Sequence, residues 1–133
     1  MYTMNKSSIL TMLVLDTSVM SFTRFKPQDN DCKIMHKGTF VYGNEKSKVR
    51  VEINGKNHIE YHDGGKYIIK SKLDWVSDCE YNMTMSEVTI PNFPYNVGDV
   101  MNVKINKVEG NEIFYTSTVH GESWEGKFTK VNK

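Results

Sequence analysis

Four histidines, two cysteines and a scattering of serines and carboxylates are the residues of this chain that could do chemistry. His58 and His62 flank Glu60, an arrangement that by residue type suits a metal ligand set or an acid–base pair. In an extended strand, however, the two histidines stand roughly 13 Å apart, so one metal ion cannot bridge them. Asp63 or His36 would have to complete such a site from neighbouring strands. His58, Glu60 and His62 are expected on the outward, solvated face of their strand. His120 falls in a turn signal, with no evident carboxylate partner. Serines at 71, 77, 86, 117 and 123 occupy no GxSxG elbow, and neither GxxxxGK[ST] nor GxGxxG occurs. The carboxylate pairs Asp74 with Asp78 and Glu122 with Glu125 are explained by turns and outward faces. No catalytic constellation, no metal site and no cofactor is expected.

The elements that position these residues follow from size and periodicity. With 133 residues the chain has room for one domain, and 17 basic against 16 acidic side chains leave a net charge of +1. That balance gives no field to draw nucleic acid, whose binders cluster more base than Lys46, Lys48 and Arg50. The eight methionines are expected mainly to fill gaps in a core. Residues 1 to 23 have the order of a secretory signal: Lys6, then the apolar run 9–15, then small and polar residues. Asp16 interrupts that order, and the run is too short to span a membrane. Export is therefore expected, to the periplasm or beyond, the alternative being a cytoplasmic protein with an apolar N-terminal helix; 24 to 37 is then a polar leader and 38 to 133 one domain. A monomer with no stable membrane span is the corresponding expectation.

From residue 38 onward the chain alternates with a period of two, broken at regular intervals by turn residues. GlyThrPheValTyr (38–42) opens the series, and Val49, Val51 and Ile53 share one face of the next strand. Asn54 and Gly55 then mark a tight hairpin turn. The return arm is 58–62, and AspGlyGly (63–65) leads into a long strand with Tyr67, Ile69, Ser71, Leu73 and Trp75 inward. Cys79, Tyr81, Met83 and Met85 alternate after the step ValSerAsp. Pro91 and Pro94 expel the following segment from a sheet interior and make it a lid or rim. Met101, Val103 and Ile105; Ile113, Tyr115, Ser117 and Val119; and Trp124, Gly126 and Phe128 mark the last three strands. Eight strands joined by short turns form an up-and-down antiparallel meander, and closure into an all-β barrel removes its exposed edges.

In such a meander every odd strand starts at the same end. Cys32, just before the first strand, and Cys79, at the start of the fifth, therefore share the bottom of the barrel. Closing a loop of about 47 residues with a disulfide there would stabilise the fold by roughly 4 kcal/mol. A redox or metal pair would instead show close CxxC spacing, which is absent. Trp75, inward by alternation, would plug the floor beside the bridge.

Cys32, Gly38–Thr39–Phe40 and the run SerLysLeuAspTrpValSerAspCysGluTyr at 71–81 resemble a family of small exported proteins of Bacteroidota. Its members carry, after a signal peptide, a cysteine and a GTF-like strand, and later W-x-x-x-C-x-Y. The likeness covers roughly residues 32 to 131. It implies a compact, mostly antiparallel β fold of lipocalin-like type, and no established activity. Some members are labelled topoisomerase IV, a label that neither the chain's size nor its charge supports. True lipocalins open with G-x-W, where this chain has Gly38, Thr39 and Phe40.

An eight-stranded barrel is just wide enough to fill with side chains or to hold one small ligand. Inward alternation gives Tyr61, Tyr67, Trp75, Tyr81, Met83 and Tyr115 as the lining expected for a small apolar or amphipathic molecule. Buried tyrosines need hydrogen-bond partners, and a polar cluster near one mouth would supply them and grip an amphiphile. The alternative is a filled barrel that works as an interaction module through its outward faces and the proline loop.

Overall fold

The computed structural model describes residues 29–131. The expected signal peptide, 1 to 23, and the first part of the polar leader, 24 to 28, lie outside the described residues. Eight strands run β1 (Lys37–Tyr42), β2 (Val49–Asn54), β3 (Asn57–His62), β4 (Tyr67–Ser77), β5 (Glu80–Val88), β6 (Val100–Glu109), β7 (Glu112–Val119) and β8 (Glu122–Val131). Each pairs antiparallel with the next, and β1 pairs with β8 to close the barrel. Irregular register in β4–β5, at Lys70/Ser71 and Trp75/Ser77, and in β6–β7, at Ile105/Lys107, supplies the local bending that closure demands.

Most of the expected faces are the observed ones. Val49, Val51 and Ile53 of β2 are buried, as are Tyr81, Met83 and Met85 of β5 and Ile113, Tyr115, Ser117 and Val119 of β7. The polar leader does more than lead. Its last part forms a short helix, α1 (Asp29–Cys32), and a 3-10 turn (Lys33–His36) that fold under the barrel, with Cys32 and Met35 completely buried. Apolar burial, rather than any helical repeat, holds this plug in place.

The floor is tied by several independent links. Cys32 and Cys79 form the expected disulfide across 47 residues of chain, with Cα atoms 5.1 Å apart. His36 stacks on Trp75 at 3.6 Å between ring centroids, and Trp75 Nε1 donates to the Gly55 carbonyl at 3.0 Å. The Gly55 amide in turn donates to the His36 carbonyl at 2.9 Å. Lys130 Nζ reaches from β8 to the Ile34 carbonyl at 3.0 Å.

One face is inverted relative to expectation. His58 and Glu60 point into the barrel, 1% and 8% exposed, whereas Tyr61 points out. Arg50 lies over the Tyr61 ring at 4.0 Å, and the Tyr61 hydroxyl sits 3.4 Å from the Glu52 carboxylate. The reason is register. Asn54 pairs with Asn57 across the two-residue turn Gly55–Lys56, which sets Ile53 opposite His58 and Val51 opposite Glu60. Residues directly opposite in an antiparallel pair share a face, so the buried valines and isoleucine of β2 carry His58 and Glu60 inward with them.

Candidate functional site

The end of the barrel opposite the disulfide holds a cavity of about 220 Å³. Its walls are mostly apolar, with Ile69, Met83, Met85, Met101, Val103 and Phe128 contributed by four strands. Tyr115 lies flat along one wall, stacked on Phe128 at 4.5 Å. Gly126, its cross-strand partner, makes this possible, because a Cβ there would collide with the Tyr115 hydroxyl. Trp124, 39% exposed, stands at the opening.

The proline loop forms part of the rim. Phe93 and Tyr95 both line the cavity and pack edge to face, with ring centroids 5.7 Å apart. The loop is fastened to the end of β5 by Gly98 N to Met85 O at 2.8 Å and Met85 N to Asp99 O at 3.1 Å. It also meets the β7–β8 turn. His120 and Gly121 both take positive φ in that two-residue turn, the backbone of a tight hairpin. This geometry brings His120 Nε2 to 3.3 Å from Asp99 Oδ2 and its ring alongside Tyr95. The hydrogen bond from the Asn96 amide and the neighbouring imidazole hold the Asp99 carboxyl below its ordinary range.

One side of the chamber is polar. The Tyr42 hydroxyl donates to Glu60 Oε1 at 2.8 Å, and His62 Nε2 lies 2.9 Å from the same oxygen. A carboxylate only accepts, so His62 is the donor there. His58 Nε2 is 3.9 Å from Glu60 Oε2, beyond hydrogen-bond length. Burial pushes the Glu60 pKa up, but the hydrogen bonds from His62 and Tyr42 and the two imidazoles outweigh it, and the net displacement is downward. Burial depresses His58, with the Glu60 charge opposing it in part, so its neutral form is favoured. Burial, with the nearby Glu60 charge, drives the Tyr42 and Tyr81 phenols far up and Tyr115 to about 12. The chamber therefore presents a carboxylate, hydrogen-bonded by His62 and Tyr42, among neutral phenols and apolar side chains.

Of the residues expected to line a cavity, Tyr81, Met83 and Tyr115 do so. Trp75 is in the floor, packed edge to face on Tyr81 at 4.8 Å. Tyr67 stands at the start of β4 outside the lining, with the Lys66 ammonium 5.3 Å from its ring centre. Tyr61 is on the outer surface, for the register reason above. Sequence reasoning missed Glu60, His58 and His62, which it placed outside. The signal was present in the hairpin. A two-residue turn pairs odd positions with even ones, so inward Val49, Val51 and Ile53 require inward 58, 60 and 62. The apolar appearance of Ile59 and Tyr61 pointed the other way.

Among the described residues no group of three His, Cys, Asp or Glu side chains could hold a metal ion, and no helix is long and apolar enough to cross a membrane. Comparison of the chain with protein-family models, with curated proteins and with solved structures finds no match.

Proposed function

We propose that this barrel binds a small apolar or amphipathic molecule in its open half. The observation that carries the reading is the pairing of an apolar chamber with a polar cluster confined to one wall, the usual composition of a small-molecule site. A filled barrel would need no such space, and would gain nothing from a buried carboxylate that apolar residues could replace. At about 220 Å³ the chamber is below the roughly 300–1,000 Å³ of drug-sized sites, which points to a compact ligand. The alternative of a surface interaction module rests on an outward His-Glu-His set and on the proline loop; the three side chains face inward, and Phe93 and Tyr95 of the loop line the chamber.

An oxidised Cys32–Cys79 pair supports residence in an oxidising compartment, in keeping with export. Kinship with the exported Bacteroidota family is part of the same reading and rests on Cys32, Gly38–Phe40 and Trp75-x-x-x-Cys79-x-Tyr81.

The direct experiment is native mass spectrometry of the protein purified from its own host, followed by titration of any retained molecule into Tyr81→Ala and Tyr115→Ala variants. A retained small molecule whose affinity falls in both variants supports the reading. Unchanged affinity in both would remove the chamber as its site.

A further inference from the structure

The chamber's polar wall also constrains the chemistry of its occupant. No lysine or arginine lines it, so Glu60 is the one side chain there that is an anion and nothing obligatorily cationic faces it. Tyr42 and His62 both spend their donors on Oε1, whereas Oε2 has only His58 Nε2, at 3.9 Å. One carboxylate oxygen thus lacks a close donor among the described residues. His58 lines the same chamber at 1% exposure, and its Nδ1 has no hydrogen-bond partner there either. With Nε2 turned toward the carboxylate, the tautomer protonated on Nε2 is favoured, and Nδ1 then offers a lone pair. In that tautomer His58 Nδ1, which has no partner, and Glu60 Oε2, which has no donor closer than 3.9 Å, are both acceptors.

We propose that the occupant carries a cationic, hydrogen-bond-donating nitrogen, a primary or secondary amine on a short apolar body, and that Glu60 is its counter-ion. The inference rests on the binding reading above and adds the head group. An ammonium supplies several donors, one of them to Glu60 Oε2, and adds a full positive charge to a buried carboxylate whose close partners are His62 and Tyr42. Tyr42, Tyr81, Tyr115 and Trp124 line the same space, and a ring face turned to a ligand favours a cation over an anion. A carboxylate-headed amphiphile would instead bring a second anion against Glu60, in a medium where like charges repel strongly. It would find no lysine or arginine to receive it.

Three probes of equal chain length decide the matter: octylamine, octanol and octanoate, each titrated calorimetrically into the oxidised protein at neutral pH. Octylamine is expected to bind at least roughly tenfold more tightly than octanol, the scale of one charge-assisted hydrogen bond, and octanoate most weakly. Glu60→Gln should abolish the advantage of the amine over the alcohol, while Tyr61→Ala, on the outer face of the same strand, should preserve it. If Glu60→Gln does not fold, as judged by near-ultraviolet circular dichroism, the ranking in the unaltered protein decides. Octanoate binding as tightly as octylamine, or an amine preference that survives in folded Glu60→Gln, overturns the head-group inference and leaves the chamber reading standing. Failure of all three probes to bind overturns both.

Discussion

The two ends of the barrel solve opposite problems. At the floor, a disulfide, a stacked His36–Trp75 pair and a plug with Cys32 and Met35 fully buried join α1, β4 and the β2–β3 and β4–β5 turns. At the mouth, the walls stand apart around a cavity, and a buried carboxylate is held by two hydrogen bonds where further packing would have stabilised the fold more. The covalent tie and the buried plug at one end allow the other to keep a space and a polar cluster that add little to stability. The contrast assigns stability to the floor and selectivity to the mouth.

The contrast breaks most visibly at the bridge. Replacing Cys32 and Cys79 together with serine should lower unfolding free energy by about 4 kcal/mol, from the loop-entropy cost of 47 residues. Urea titration of the variant against the oxidised protein measures it, and an unchanged midpoint would mean that the floor is held by packing alone. The two tryptophans come next. Trp75→Ala removes the ring against which His36 and Tyr81 pack and should cost about 3 kcal/mol. Trp124→Ala, at the exposed rim, should cost under about 1 kcal/mol yet weaken ligand binding. Equal stability losses at both positions would erase the division between the ends.

Within the mouth, Tyr42→Phe deletes one of two donors to a buried carboxylate, and about 1.5 kcal/mol of destabilisation is expected by thermal or chemical denaturation. Acid acts on the same cluster. His58 has a depressed pKa when folded, so the unfolded chain takes up its proton first, and stability declines as pH falls below the ordinary histidine value of about 6.5. Glu60, also depressed, adds stability that is fully present above the ordinary carboxylate range and lost as pH falls through its lower folded value. Melting temperatures followed from pH 7 downward should therefore fall in two stages, and His58→Phe should flatten the first. A first stage unaltered in His58→Phe would assign it to another group.

The smallest effect sharpens the comparison at a single strand. Tyr61→Ala removes an outward ring beneath a half-exposed arginine and should change stability by under about 1 kcal/mol, with no effect on ligand affinity. Tyr81→Ala, buried at the chamber wall, should affect both. A large effect at Tyr61 would contradict the observed face of β3.

Much of the architecture was legible before any coordinates. Alternation in β2, β4, β5 and β7 marked both the strands and their buried faces, because each strand has one wet side and one dry side and its side chains obey that difference. The disulfide was legible for a topological reason: a meander returns every odd strand to the same end, so distance along the chain did not matter. In β3 the rule misled. HisIleGluTyrHis alternates, but its apolar members are outside, and composition could not say which set would be dry. The two-residue turn before it held the answer in its parity, and it outweighs side-chain hydrophobicity because register binds every residue of a strand at once.

The amino-acid sequence by itself determined the eight strands, their closure and the bridge between Cys32 and Cys79, since these depend on local periodicity, turn chemistry and strand count. Only the tertiary structure decided that Glu60, turned inward by its hairpin, would find the partners that keep it ionised and that space would remain beside it. Its hydrogen-bond partner Tyr42 lies two strands away, on β1, and a carboxylate can be buried only where such a partner is already in place. Whether side chains meet or leave a cavity likewise depends on how opposite walls approach, a distance that no single strand encodes.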